Sequence, residues 1–352
     1  MVAEAIARRV VGFAELTTGN GGSTLSMAQS IMQQQYDADL PTVSRLHRVA
    51  DRSWNVGGPR VDWRMKRVVK AGDPAGKIVP LFHEFVAENY GLYQHYYTDG
   101  SRVPNGGVGV GVFGPGNSEA RKLNDACSSF SAEVAALCVA ASDIDTEDHR
   151  NAVIFSDSAS ALLALERGRS RHPWIQALDM FPNLTFCWIP GHCGIRGNDN
   201  ADRLANAGRN GPRLTSFVPG PDLKNWIRDT ITEGWKRKWY QERNLFTRKV
   251  KDDTDQWSDR SSRKEQQILS RIRIGHTRIT HSHFCQGGDR PICIPCNTPL
   301  TIEHILVDCL AYEDLRRKHQ LTDSIRTILQ NNPAREEVLL NFLKDADLYD
   351  KI

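Results

Sequence analysis

The chain predicts a mixed α/β sheet over residues 96 to about 210, followed by a helical, basic C-terminal region. Three observations lead there. Short apolar runs, VGVGVF (108–113), AVIFS (152–156) and LTFCWIP (184–190), read as strands bounded by turn residues. Between and after them lie stretches of helical composition: SAEVAALCVAA (131–141), SASALLALERG (158–168) and ADRLANAGR (201–209). Strands first, then strands and helices in alternation, imply one mixed sheet with helices on its faces.

Taken in order, residues 1–90 form a helical N-terminal segment, with EAIARRVVGFAEL as a helix and GNGGS and GGP as breaks. A strand starts at Tyr96 to Thr98 and opens the α/β domain, residues 91–211. Pro212, Pro219, Gly220 and Pro221 mark a linker over 212–222. Residues 223–284 are a basic helical segment, 285–320 a Cys/His module, and 321–352 a helical tail.

Composition narrows the function classes. A chain of 352 residues with 40% apolar content can bury two or three cores. The net charge of +3 is weak, so any nucleic-acid surface must be local. No run approaches the ~18 apolar residues of a membrane span. The N-terminus has an acid before its two arginines and no cleavage pattern, so an intracellular, non-secreted protein is expected. The eight cysteines do not read as a disulfide framework, because a chain this long does not need one. Oligomeric state leaves no mark on the sequence.

Four carboxylates stand in distinctive settings: Asp99 in YYTDGS, Glu133 in FSAEVAAL, Asp157 in VIFSDSASAL and Asp202 in WIPGHCGIRGNDNADRLA. Asp99 is expected at the end of a central strand, with Gly100 giving a tight turn. Asp157 ends another strand, Glu133 lies in the first turn of a helix, and Asp202 opens one. Singly, each has a plain structural reading as a turn or cap residue. Together, strand ends and helix starts on one sheet edge can hold hard cations such as Mg²⁺, which take oxygen ligands.

These motifs resemble the type 1 ribonuclease H family, most closely the version in non-LTR retrotransposon polyproteins that contain a reverse transcriptase. The resemblance covers residues 94–209, and WIPGHCGIRGNDNADRLANAG is its most specific piece. It implies a five-stranded mixed sheet flanked by helices, and hydrolysis of the RNA strand of RNA:DNA hybrids. It implies two Mg²⁺ (or Mn²⁺) ions held by Asp99, Glu133, Asp157 and Asp202, with His192 as a mobile histidine beside them. Two such ions clamp the attacking and leaving oxygens of a phosphodiester. The resemblance also implies substrate contacts from Ser101, Asn105, Asn198 and Asp199. RNA is told from DNA by its 2′-hydroxyls. Only 34 residues separate Asp157 from His192, room for two short helices and a strand but not for the extra basic helix of some cellular members.

Other motifs need separate readings. GVGVFG (109–114) matches G-x-G-x-x-G, but Pro115 and Gly116 follow and no helix opens, which excludes a dinucleotide site. Its glycines are expected to let the backbone lie close to the hybrid, or to thin one strand face. Trp188 reads as core packing. From Lys224 to Lys251 nine Lys or Arg stand against three Asp or Glu, with Trp226, Trp235, Trp239, Tyr240 and Phe246 interleaved. This run is a candidate grip on nucleic acid, or equally an amphipathic helix with those tryptophans buried.

Cys293, Cys296, His304 and Cys309 follow a C-x₂-C-x₇-H-x₄-C spacing that suits a closed, structural tetrahedral Zn²⁺. Cys285 is an outlying alternative ligand. His276, His281 and His283 fit no complete site and read as surface. This tail is similar to the C-terminal CCHC zinc-knuckle-like region of the same polyproteins, which is thought to bind nucleic acid. Two rival readings stand beside the nuclease. One is a catalytically decayed nucleic-acid-binding module. The other is a proofreading-type exonuclease, which needs a second acid two residues after the first, where this chain has Ser101.

Overall fold

The computed structural model describes residues 29–34, 36, 38–44, 59–70, 72–104, 106–146, 151–168, 170–260 and 262–352. The helix expected at EAIARRVVGFAEL lies outside them. The chain divides into two compact units, Met1–Thr232 and Glu233–Ile352.

A short pair, β1 (Val43–Ser44) with β8 (Val218–Pro219), stands apart from the main sheet of the first unit. The main sheet has six strands in the order β2 (Arg60–Asp62), β7 (Thr185–Trp188), β6 (Ala152–Ser156), β3 (Gln94–Val103), β4 (Gly107–Phe113) and β5 (Ser118–Lys122). β3, β6, β7 and β2 run parallel, and β3, β4 and β5 form an antiparallel meander. The sheet is therefore mixed α/β as expected, with one strand more than the five anticipated. β2 escaped the sequence because its inward residue is an acid. Asp62 is buried, and its carboxylate is bonded both by Arg64, the first residue of α1 (Arg64–Val68), and by the Tyr90 hydroxyl. Burial alone would raise its pKa, but these bonds outweigh it and hold the carboxyl below the usual range.

Helices cover both faces, and the period-2 alternation of β6 feeds each. Val153 and Phe155 point to α2 (Ala75–Tyr90), where they pack with Phe82, Phe85 and Tyr90. Ile154 and Ala152 point the other way, into the core made with α3 (Ser129–Thr146), α4 (Ala159–Arg167) and α5 (Pro173–Leu178). Thus α2, from the stretch read as an N-terminal segment, closes one face of the sheet.

The stretch read as a linker is pinned to the first unit. Lys122 N–H donates to Pro212 O (2.8 Å), Leu214 N–H donates to Lys122 O (2.8 Å), and Val218 is buried. Leu223, Ile227 and Ile231, at helical spacing in the helix Gly220–Gln241, enter the same core. The break between units falls inside that helix rather than at the prolines.

The second unit is helical. Its core joins the helix Phe246–Val250, the helix Arg263–Ile274, the Cys/His segment, and the helix Pro333–Asp345. Within it lies a buried ion pair, Arg273 to Glu336 at 2.7 Å.

Candidate metal centres

Strand register brings the first carboxylates together. Thr98 pairs with Ser156 at the end of the β3–β6 ladder, so Asp99 and Asp157 follow on neighbouring strands. Asp99 does not end its strand, and Gly100 makes no turn, because β3 continues through both to Val103. The glycine serves packing instead. A Cβ at Gly100 would lie 2.4 Å from Glu133 N, so its absence lets α3 approach and delivers Glu133. Candidate ligand oxygens of Asp99, Glu133 and Asp157 all lie within 4.8 Å of one another.

Asp202 stands outside that trio. Its helix, α6 (Arg196–Gly208), begins before the expected start, so Asp202 sits in its second turn. Small residues seat α6 on β4. Cβ atoms at Gly109 and Gly111 would fall 2.0 Å from Ala205 O and 2.2 Å from Ala201 O. These glycines therefore thin a strand face for a helix.

The electrostatics are those of crowded, buried acids. Burial, then the charges of Asp157 and Asp202, push Asp99 up to about 7, against a smaller opposing effect of His192. Burial, then Asp99 and Asp157, push Glu133 up to about 9. Glu133 Oε2 is buried with no hydrogen-bond partner. A divalent cation would reverse both effects and supply the missing partner, so this donor set fits hard metal ions.

The other predicted site residues are placed as follows. His192 is exposed, with its backbone in the left-handed region at φ 52°, uncommon for a residue with a side chain. Asn198 is 2% exposed, and its Nδ2 donates to Asp157 Oδ2 at 3.1 Å. Its contact is therefore with a candidate ligand. Asp199 is half-buried in the first turn of α6. The Ser101 hydroxyl donates to Asn206 Oδ1 (2.8 Å). Asn105 lies outside the described residues.

Three contributors carried no signal of their own. Asn206 Nδ2 donates to Asp202 Oδ1 (3.1 Å) while accepting from Ser101, tying α6 to β3. Its place one helical turn after Asp202 was the available clue. Trp188, half-buried, donates its indole N–H to Asp157 O (3.2 Å). Gly191 leaves room for the Asp157 carboxylate, whose Oδ2 a Cβ would meet at 2.3 Å.

In the second unit, ligand atoms of Cys293, Cys296, His304 and Cys309 lie within 4.8 Å of one another. Cys309 Sγ is 3.6 Å from Cys293 Sγ and 4.0 Å from Cys296 Sγ. Thiolates ~2.3 Å from a tetrahedral zinc sit ~3.8 Å apart, so the spacing suits one ion. His304 Nε2 is buried without a partner, as a ligand nitrogen would be before its metal is counted. The Leu310 N–H donates to Cys296 Sγ (3.4 Å) and lowers that thiol's pKa, whereas burial raises Cys309 to about 11. The side chain of Cys285 is outside the described residues.

Among the tryptophans of the basic run, Trp226 packs against the first unit's core. Trp235 is 52% exposed, and Trp239 donates to Asp252 O (3.2 Å). The reading with all three buried therefore fails at Trp235.

Comparison with known proteins adds one finding. The RNase H family profile matches residues 93–210, the stretch from β3 through α6. It supports a ribonuclease activity in general, and nucleic-acid binding, for this part of the chain. No curated protein matches the chain. Among the described residues no helix is long and apolar enough to cross a membrane.

Proposed function

We propose that the first unit hydrolyses the RNA strand of RNA:DNA hybrids with two divalent cations, Mg²⁺ or Mn²⁺. The observation that carries this reading is the convergence of Asp99, Glu133 and Asp157 within 4.8 Å, inside the stretch that matches the RNase H profile. When bound, the cations supply a lowered water pKa and charge stabilisation at the scissile phosphate. Asp99, Glu133 and Asp157 hold them, with Asp202 completing the set.

The protein's contribution is positioning. Asn198 and Trp188 fix Asp157 by its carboxylate and its carbonyl, and Asn206 fixes the Asp202 carboxylate. Such preorganisation is where hydrolysis of this kind gains most of its rate. His192, exposed at the rim, is proposed to move a proton during turnover. Ser101 and Asp199 are proposed to lie along the substrate. The basic run Lys224–Lys251, with Trp235 and Tyr240 each about half exposed, is the proposed grip.

The Cys293, Cys296, His304, Cys309 set is proposed to hold a structural Zn²⁺. The motif around His192 and this Cys/His module together support descent from a retrotransposon polyprotein. The test compares four labelled duplexes, RNA:DNA, RNA:RNA, DNA:DNA and DNA:RNA with the opposite strand labelled. Cleavage confined to the RNA strand of the hybrid is expected. Cleavage of DNA:DNA at a comparable rate would refute the substrate assignment.

A further inference from the structure

β2 and α1 precede the stretch that matches the RNase H profile, yet they reach the sheet edge that carries the carboxylates. β2 runs parallel to β7, with Asp62 opposite Cys187. β7 runs parallel to β6, with Trp188 opposite Ser156. The chain therefore leaves β2 at the edge where Asp157 follows β6 and the His192 loop follows β7. Ligands of open α/β sheets bind beyond these carboxyl ends.

α1 starts at that edge and is anchored there. The Arg64 N–H donates to Asp62 Oδ1 (2.9 Å), and the Arg64 guanidinium is spent on the same carboxylate (2.7 Å). Met65 is fully buried, in one apolar cluster with Ile189, Cys193 and Ile195, which bracket His192. Lys66 differs from both neighbours. It is exposed and has no ion pair among the described residues. Its ammonium stands 5.1 Å from the Trp63 ring centroid and 5.6 Å from that of Trp188. Attraction to two indole faces holds a long side chain in one place without neutralising its charge.

One residue links this ammonium to the metal centre. The Trp188 ring that faces Lys66 donates its N–H to Asp157 O at 3.2 Å. With the width of the indole added, the ammonium lies about 10 Å from the Asp157 backbone, the axial rise of ~3 nucleotides of one strand. A fixed, unneutralised cation at that distance from the site of cleavage suits a backbone phosphate next along the strand.

We propose that Lys66 binds a phosphate of the strand being cut, about two to three nucleotides from the scissile bond, with Trp63 and Trp188 as its mount. The proposal rests on the hybrid-nuclease reading of the first unit. It adds a substrate contact from outside the profile-matched stretch. Such a contact is alike in the ground and transition states, so it contributes binding rather than rate.

The test measures steady-state cleavage of a labelled RNA:DNA hybrid with Mg²⁺ by the full chain and by its Lys66→Gln and Lys66→Arg variants. Hybrid binding is read in parallel in the Asp157→Asn background, from about 50 to 200 mM salt. Lys66→Gln is expected to raise KM and Kd roughly fivefold, to lower the salt slope by about 0.9 and to leave kcat within about twofold, with Lys66→Arg restoring all three. An unaltered Kd and slope in Lys66→Gln would overturn the proposal. A fall in kcat with KM and slope unchanged would also overturn it, by reassigning Lys66 to the support of Trp188. Absence of cleavage by the wild type would sink the nuclease reading, whereas intact cleavage with an unchanged Lys66→Gln slope sinks this proposal alone. A Lys66→Gln protein that melts early would be replaced by Lys66→Met, which keeps an apolar stem on the two rings and must show the same loss of slope.

Discussion

Gly111→Ala isolates the part of the site that is made by packing rather than by carboxylates. A Cβ at this position would lie 2.2 Å from Ala201 O and 2.3 Å from Ala205 N, both backbone atoms of α6. Ordinary contact starts at 3.4 Å, so the helix must retreat by about 1.2 Å. Asp202 is the next residue after Ala201 and retreats with it, while Asp99, Glu133 and Asp157 stand on β3, β6 and α3. A misplacement of ~1 Å in a catalytic constellation costs on the order of 100-fold in rate. The overpacking itself costs about 1–3 kcal/mol, partly offset by the lower chain entropy of alanine. Gly76→Ala is the control, since nothing lies within 4 Å of a Cβ there and the residue sits in α2. The assay pairs hybrid-cleavage kinetics with urea denaturation. Gly111→Ala is expected to stay folded, lose about 100-fold in kcat and bind hybrid nearly as before, with Gly76→Ala fully active. A folded Gly111→Ala protein with wild-type kcat would refute the claim that this glycine seat positions Asp202.

Further outcomes follow from the same geometry. Glu133 has a folded-state pKa near 9, above its ordinary value, so its stabilising contribution is present at low pH and is lost as pH rises through 9. Metal-free protein should therefore lose about 2 kcal/mol of stability from this group between pH 7 and 9, with Mg²⁺ restoring it and Glu133→Gln flattening the profile in urea denaturation. A metal-free stability that rises over that range would contradict the crowded-acid account. Mg²⁺ binding at pH 7 should expel about 1.5 protons, one from Glu133 and half of one from Asp99 near its pKa of about 7, read by calorimetry in two buffers. Cys309→Ser, or strong chelation, should release one zinc per chain and unfold the second unit by circular dichroism, whereas retention of both would leave the Cys/His cluster without a metal role. His192→Ala should slow cleavage by about 100-fold without abolishing it, and the loss should shrink at high pH, where the attacking water needs less help.

The sheet was legible wherever strands were short apolar runs. β4, β6 and β7 announced themselves, and the two short helices and strand between Asp157 and His192 fit the available residues. β2 was not legible, because a three-residue strand that turns a salt-bridged Asp62 inward has a polar pattern. Gly100, Gly109 and Gly111 were visible as glycines, but their purpose depends on which helix lies across them, a tertiary fact. The same limit applies to the site. The carboxylates and the cysteine spacing could be read as motifs. Asn206, Trp188 and Gly191 act through contacts that include Asp202 and Asp157, and their types are ordinary in a helix, a strand and a loop.

The most direct test of the central claim is cleavage of a hybrid labelled on its RNA strand, with Mg²⁺ or EDTA, by wild-type chain and by Asp157→Asn in parallel. Asn198 and Trp188 still hold residue 157 in the variant, so its fold is expected to survive, checked by thermal melting. Cleavage of RNA by the wild type alone, and only with Mg²⁺, is the predicted result. Equal cleavage by a folded Asp157→Asn protein, or hybrid binding by the wild type with no cleavage at all, would contradict the account.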